Sequence, residues 1–291
     1  MNYVFMTDAS CDLTAKQVDE IGVEVLPMEF QIEDKIYRHY PDCRMMSMEE
    51  FYKHIREGAV PKTTQINFDN FKHFFEPYLK AGKDIIFTGI ATGLSGTYNT
   101  CLIAVSELQE KYPDRRIYII DSRCDSAGLG FLVYLAGKKY KEGASIDELK
   151  DYIEETRDKV CHWFVVDDLD LLKKGGRISA LSATFGKALQ IKPLISADET
   201  GKLVNVGKIR GKSNVISTLV NQVKRDADKD SKKQTAFVAH ADNTEGAKEL
   251  RKAVKGMFKD VQICSIGPII GSHVGSGMLA IVFLGDRNPK T

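Results

Sequence analysis

No two of the six cysteines, Cys11, Cys43, Cys101, Cys124, Cys161 and Cys264, form a CxxC pair, and no two histidines stand in H-x-x-x-H spacing. A zinc knuckle, a redox dithiol and a helical metal site are therefore not expected. Cysteines this far apart read as free thiols in a reducing compartment, which points to the cytoplasm. An excess of one charge is missing too. The 41 Lys and Arg nearly balance the 40 Asp and Glu, for a formal net charge of +1. Such a chain carries no electrostatic footprint for nucleic acid or an anionic membrane. The start, "MNYVFMTDAS", reads as one short strand and not as a secretory leader. Only one long stretch, Val261 to Gly285, lacks Asp, Glu, Lys and Arg, and Pro268 and five glycines interrupt it. Two buried strands around a glycine-rich loop are expected there in place of a membrane anchor.

What is present is ordinary for a globular protein: 43% hydrophobic and 28% charged residues over 291 positions, enough for two domains. In the first half, apolar runs alternate with amphipathic segments. "YVFMTDAS", "VEVLPMEFQI", "DIIFTGI" and "RIYIIDSR" read as strands. "TAKQVDEIG", "SMEEFYKHIREG", "NFDNFKHFFEPYLKAG", "SAGLGFLVYLAGKKYKEG" and "SIDELKDYIEETRDKV" read as helices, with Ser47 and Ser145 as caps and Gly22 as a stop. In the second half, "HWFVVDDL" reads as a strand, "KKGGRISA" as a polar turn and "ATFGKALQI" as a helix. "KPLISADETGKLVNVGKI" reads as a hairpin turning at "DETG", and two further helices follow. The fold class expected is α/β with two domains. Residues 1–160 form a layered α/β domain with a mainly parallel sheet, and 161–291 form an α+β domain with a mixed sheet.

Polar clusters fall after several strands: "TDASCD", "PKTTQ", "TGLSGT", "DSRCDSAG" and "HADN". Ligands of parallel α/β sheets bind at the carboxyl ends of the strands, although each cluster alone also suits a helix cap. Ser95 in "GLSGT" has three readings. As a nucleophile it needs G-x-S-x-G, and here the second glycine comes one place early. With Gly93, Gly96 and Thr97 it can cradle an anion at a helix N-terminus. It can also be a plain cap. "GKIRGKS" lacks the first glycine of a P-loop, and "GSGMLA" comes too near the end for a dinucleotide fold. His273, set among glycines in "GSHVGSG", can pair with a carboxylate. His240 follows a strand. His39, His54, His73 and His162 read as bland helix or loop residues.

In order along the chain, "TDASCDL", "PKTTQ", "GLSGTYNT", "IIDSR", "LLKKGGRIS", "IKPLI", "GKIRGKS", "HADN" and "IGPIIGSHVGSGMLAIVFLG" resemble the DegV family across essentially the whole length. The resemblance implies a bacterial two-domain protein holding a long-chain fatty acid, such as palmitate, stearate or oleate, in an apolar tunnel between the domains. It implies no catalysis by the chain itself and no other cofactor. A separate ATP-binding fatty acid kinase subunit phosphorylates the presented carboxylate, and transient membrane contact suits such a cargo. Position by position, the family's threonine falls on Thr63, with Thr64 in place of a serine and Ile66 in place of a proline. Its serine falls on Ser95 beside Gly96, and its histidine on His273, with Ser276 in place of a proline. Arg210 resembles a contact for the head group or the kinase. The rival from the residues themselves is a serine hydrolase acting on an acyl ester through Ser95 and His273.

Overall fold

The computed structural model describes residues 1–167, 169–177 and 191–287. Its first sheet is parallel throughout, in the order β2 (Glu24–Leu26), β1 (Tyr3–Asp8), β6 (Asp84–Gly89) and β7 (Ile117–Asp121). Every residue of β1 is buried, as befits a parallel strand covered on both faces. The helices between these strands start where the polar residues predict. Thr14 and Gln17 form a reciprocal capping box on α1 (Ala15–Ile21), which Gly22 ends at φ 66°. Ser47 caps α2 (Met48–Arg56), Asn67 caps α3 (Phe68–Lys80) and Ser145 caps α6 (Ile146–Arg157). Between α3 and α6 lie α4 (Thr97–Lys111) and α5 (Ser126–Lys141).

"VEVLPMEFQI" is not one strand. The chain leaves the parallel sheet after Leu26 and enters a second, antiparallel sheet as β3 (Met28–Ile32), between β4 (Lys35–His39) and β5 (Lys62–Thr64). Pro27 stands at the switch; it has no N–H to give to a ladder, and the parallel pairing with β1 ends at Leu26.

The third sheet is mixed, in the order β10 (Leu203–Arg210), β9 (Ile191–Ala197), β8 (Val160–Val165), β13 (Leu279–Leu284), β11 (Thr235–His240), β12 (Asp260–Ser265). Only β11 and β12 run parallel. The β9–β10 hairpin turns at "DETG", where Asp198 accepts from the N–H of Thr200 and of Lys202. Helices α8 (Asn214–Asp226) and α9 (Thr244–Val254) cover one face. The polar turn expected over "KKGGRISA" begins later: Lys173 and Lys174 close a short helix, α7 (Asp170–Lys174). The helix expected over "ATFGKALQI" lies outside the described residues, apart from Ile191 in β9.

The glycine-rich stretch is also more than two strands and a loop. Between β12 and β13 it forms α10 (Pro268–Val274), with Gly267 as N-cap and Pro268 at the first helical position. The stretch is thus strand, seven-residue helix and strand, and none of the described helices is long and apolar enough to cross a membrane.

Helix α5 joins the layers. It packs on β1 on one side and on β8, β11 and β13 on the other, which explains why it is apolar around nearly its whole circumference. Its glycines allow the approach: a Cβ on Gly130 would stand 2.1 Å from the Cys11 carbonyl oxygen. Phe131 then meets Phe237 edge-on at 5.2 Å, and one hydrophobic core runs from Phe5 and Phe87 through α5 to Ala280.

Candidate functional site

Three of the polar clusters meet at the carboxyl edge of the parallel sheet. Asp8, at the end of β1, accepts the N–H of Ile90 just past β6 at 2.9 Å. Asp12 accepts the Ser126 hydroxyl at 2.6 Å and, with its other oxygen, the Gly267 N–H ahead of α10 at 2.8 Å. Burial drives the Asp12 carboxyl up to about 7, against the pull of those two hydrogen bonds. The four segments are thereby clamped together around a cavity. Its walls are largely apolar, with Met28, Ile90, Phe164, Leu172, Ile269 and Val282 among them. "HADN" belongs elsewhere: His240 Nδ1 accepts the Asn243 N–H and lies outside this lining. "PKTTQ" does not follow a strand but forms one, β5.

Thr63, Thr64, Ser95 and His273 all line the cavity. Thr63 Oγ1 lies 2.9 Å from His273 Nε2. Burial first, and then the charge of Arg177, hold His273 down to about 4, so the ring is neutral near pH 7. With its proton on Nε2, it donates to Thr63 and leaves the threonine O–H free to donate onward. Gly175 fixes the other side of the ring: a Cβ there would stand 2.6 Å from Nδ1.

Ser95 faces the same space. Its Oγ lies 3.0 Å from Thr97 Oγ1 and accepts the Thr97 N–H at 3.3 Å, while the N-cap of α4 is Gly96, with no side-chain cap bond. Among the described residues it has no histidine partner, which leaves the hydrolase constellation unassembled. Gly96 is not in the lining. It makes room for Gln65, whose amide oxygen would stand 2.3 Å from a Cβ at that position, and Gln65 Nε2 donates to Thr100 Oγ1 at 2.9 Å. Through Gln65 the "TTQ" strand and the "LSGT" turn are locked side by side. Arg210 is exposed at the end of β10, outside the lining; its carbonyl accepts from Asn214.

Arg177, part of the expected polar turn "KKGGRISA", lines the cavity. It donates to the carbonyls of Leu94 at 3.2 Å and Gly175 at 2.5 Å, so the guanidinium is held between the Ser95 turn and the end of α7. Also missed was His162. It is neither helical nor in a loop: it sits in β8, is only 2% exposed, lines the cavity, and bonds Asp125 at 2.7 Å. His39 too is a strand residue, buried at the end of β4.

The sequence matches the model of a family described as "Uncharacterised protein, DegV family" over residues 3–286. A DegV domain-containing protein of Clostridium perfringens is 40% identical over 286 residues, covering 98% of both chains. Among solved structures, a fatty acid binding DegV family protein from Streptococcus agalactiae matches with a TM-score of 0.84 at 27% identity, covering 98% of this chain and 99% of that one. A DegV lipid binding protein from Thermotoga maritima gives a TM-score of 0.84 at 26% identity, covering 97% and 98%.

Proposed function

The chain belongs to the DegV family, and from that premise we propose that it binds a long-chain fatty acid in this cavity, with the carboxylate at the Thr63–His273 end. The observation that carries the proposal is the make-up of the cavity lining. Thr63, His273 and Arg177 are linked through the Thr63–His273 contact and Gly175, Ser95 follows the Leu94 that Arg177 bonds, and most of the other lining residues are apolar. A buried carboxylate left without hydrogen bonds costs several kcal/mol or more, on the order that prevents binding. Thr63 and Ser95 supply hydroxyl donors, and Arg177 supplies the opposite charge. Each methylene taken from water contributes about 0.8 kcal/mol, so a palmitate-sized tail binds tightly with few polar contacts.

The chain then acts with a separate ATP-binding kinase subunit. A carboxylate oxygen attacks the γ-phosphorus of ATP, ADP leaves, and an acyl-phosphate forms. Arg210, exposed beyond the cavity, is a docking contact for that partner. The family resemblance supports this step. Delipidated protein titrated with palmitate by calorimetry tests binding. Incubation with ATP and a fatty acid kinase subunit, with acyl-phosphate trapped by hydroxylamine, tests presentation. No heat of binding would remove the first, and no hydroxamate above the kinase-alone control would remove the second.

A further inference from the structure

An imidazole with a missing partner lines the cavity. His162 Nδ1 is bonded to Asp125 at 2.7 Å, with side-chain exposures of 3% and 14%. The other ring nitrogen, Nε2, is buried and has no hydrogen-bond partner among the described residues. A buried polar atom left alone costs about 1–3 kcal/mol, and an apolar residue in its place would avoid that cost if the cavity took only hydrocarbon.

Asp125 strengthens the case. It occupies the N-cap of α5, where an aspartate normally accepts a backbone N–H of the first turn. Here its side chain makes no such bond; the carboxylate is turned to His162 instead. The next residue, Ser126, takes φ 43°, a left-handed conformation that is rare outside glycine. A helix cap is given up, and local backbone strain accepted, to fix an imidazole whose free nitrogen has no partner. That is how a protein orients a histidine for a ligand.

The position along the cavity follows from strand register. His162 pairs with Val282 on β13. Met278, the residue before β13, lines the cavity four residues after α10, the helix that carries His273. From Met278 to Val282 the backbone covers about 13 Å, so His162 lies well down an acyl chain from its carboxylate. With Nδ1 donating to the Asp125 carboxylate, Nε2 is a bare acceptor, and the group that bonds it must donate. A hydroxyl does so.

Building on the fatty-acid reading, we propose that the cavity is suited to an acyl chain bearing a mid-chain hydroxyl, a monohydroxy fatty acid, with His162 as its partner and Asp125 as the positioning residue. The test is competition between stearate and a positional set of monohydroxystearates for the wild type, His162→Leu and Asp125→Asn. Wild-type protein should prefer one mid-chain isomer to stearate by at least about tenfold. That ratio should collapse in His162→Leu and shrink in Asp125→Asn. Equal wild-type affinity for stearate and every isomer would overturn the hydroxyl site and leave fatty-acid binding standing. Uptake of neither class would overturn fatty-acid binding itself. Should the variants not fold, nitrogen NMR of wild-type protein decides: the His162 Nε2 resonance should move with the preferred hydroxystearate and not with stearate, and identical shifts with both would overturn the proposal.

Discussion

Thr63 and His273 are 210 residues apart in sequence and 2.9 Å apart in space. Their contact brings together the three-stranded sheet and α10. If the pair receives a carboxylate, Thr63→Val, which keeps the shape and removes the hydroxyl, should weaken palmitate binding by roughly tenfold or more. Calorimetry with delipidated protein measures this, and unaltered affinity would remove Thr63 from the site.

Gly175→Ala separates geometry from chemistry. Gly175 has φ −75°, which alanine adopts freely, so backbone strain is not at issue. The added methyl would meet His273 Nδ1 at 2.6 Å, and the ring must move off Thr63. Palmitate affinity is expected to fall several-fold with little change in Tm. A large loss of Tm with normal affinity would contradict this.

Ser95→Ala should act twice. Losing its bond to the Thr97 N–H costs about 1 kcal/mol of stability, and losing a hydroxyl donor weakens fatty-acid retention. Thermal unfolding of the lipid-free protein and palmitate titration read the two effects separately. A fluorophosphonate probe should leave Ser95 unlabelled, since its hydroxyl is bonded to Thr97 and not to a histidine.

The Asp12 clamp carries a pH signature. Its carboxyl is held at about 7 against an ordinary value of 3.8, so between those values the folded state keeps a proton that the unfolded chain has lost. The stabilising contribution is complete below 3.8 and disappears as pH rises through about 7. His39 and His273, held at about 4, work the other way: their stabilisation is present above 6.5 and is lost as pH falls toward 4. Asp12→Asn removes only the first effect. Its stability relative to wild type should therefore grow from pH 4 to 7, by a few kcal/mol in order of magnitude. A flat difference would show that Asp12 ionises normally.

Much of this was readable in the sequence because local rules agreed with the fold. Thr14 with Gln17, Ser47 and Ser145 mark helix starts, and β1, β6 and β7 are apolar runs with no competing pattern. The ordered motifs pointed to Thr63, Thr64, Ser95, Gly96, His273 and Arg210; four of these line the cavity, and Gly96 and Arg210 lie outside its lining. The failures came where tertiary context decides. Pro27 alone marks the change of sheet after Leu26. The "IGPIIGSH" segment is helical because Pro268 can start a helix that glycines would be expected to break. His162 and Asp125 come from different layers; Asp125 lies in the "DSRCDSAG" cluster, but nothing local pairs it with His162. Arg177 follows two glycines that look like a turn, and its importance depends on Leu94, 83 positions earlier.

The most direct measurement is denaturing extraction of freshly purified protein, followed by mass spectrometry of the released lipid. A long-chain fatty acid near one per chain is expected, and its identity would show whether a hydroxyl is present. An empty protein that also fails to take up added palmitate, oleate or hydroxystearate would contradict fatty-acid binding.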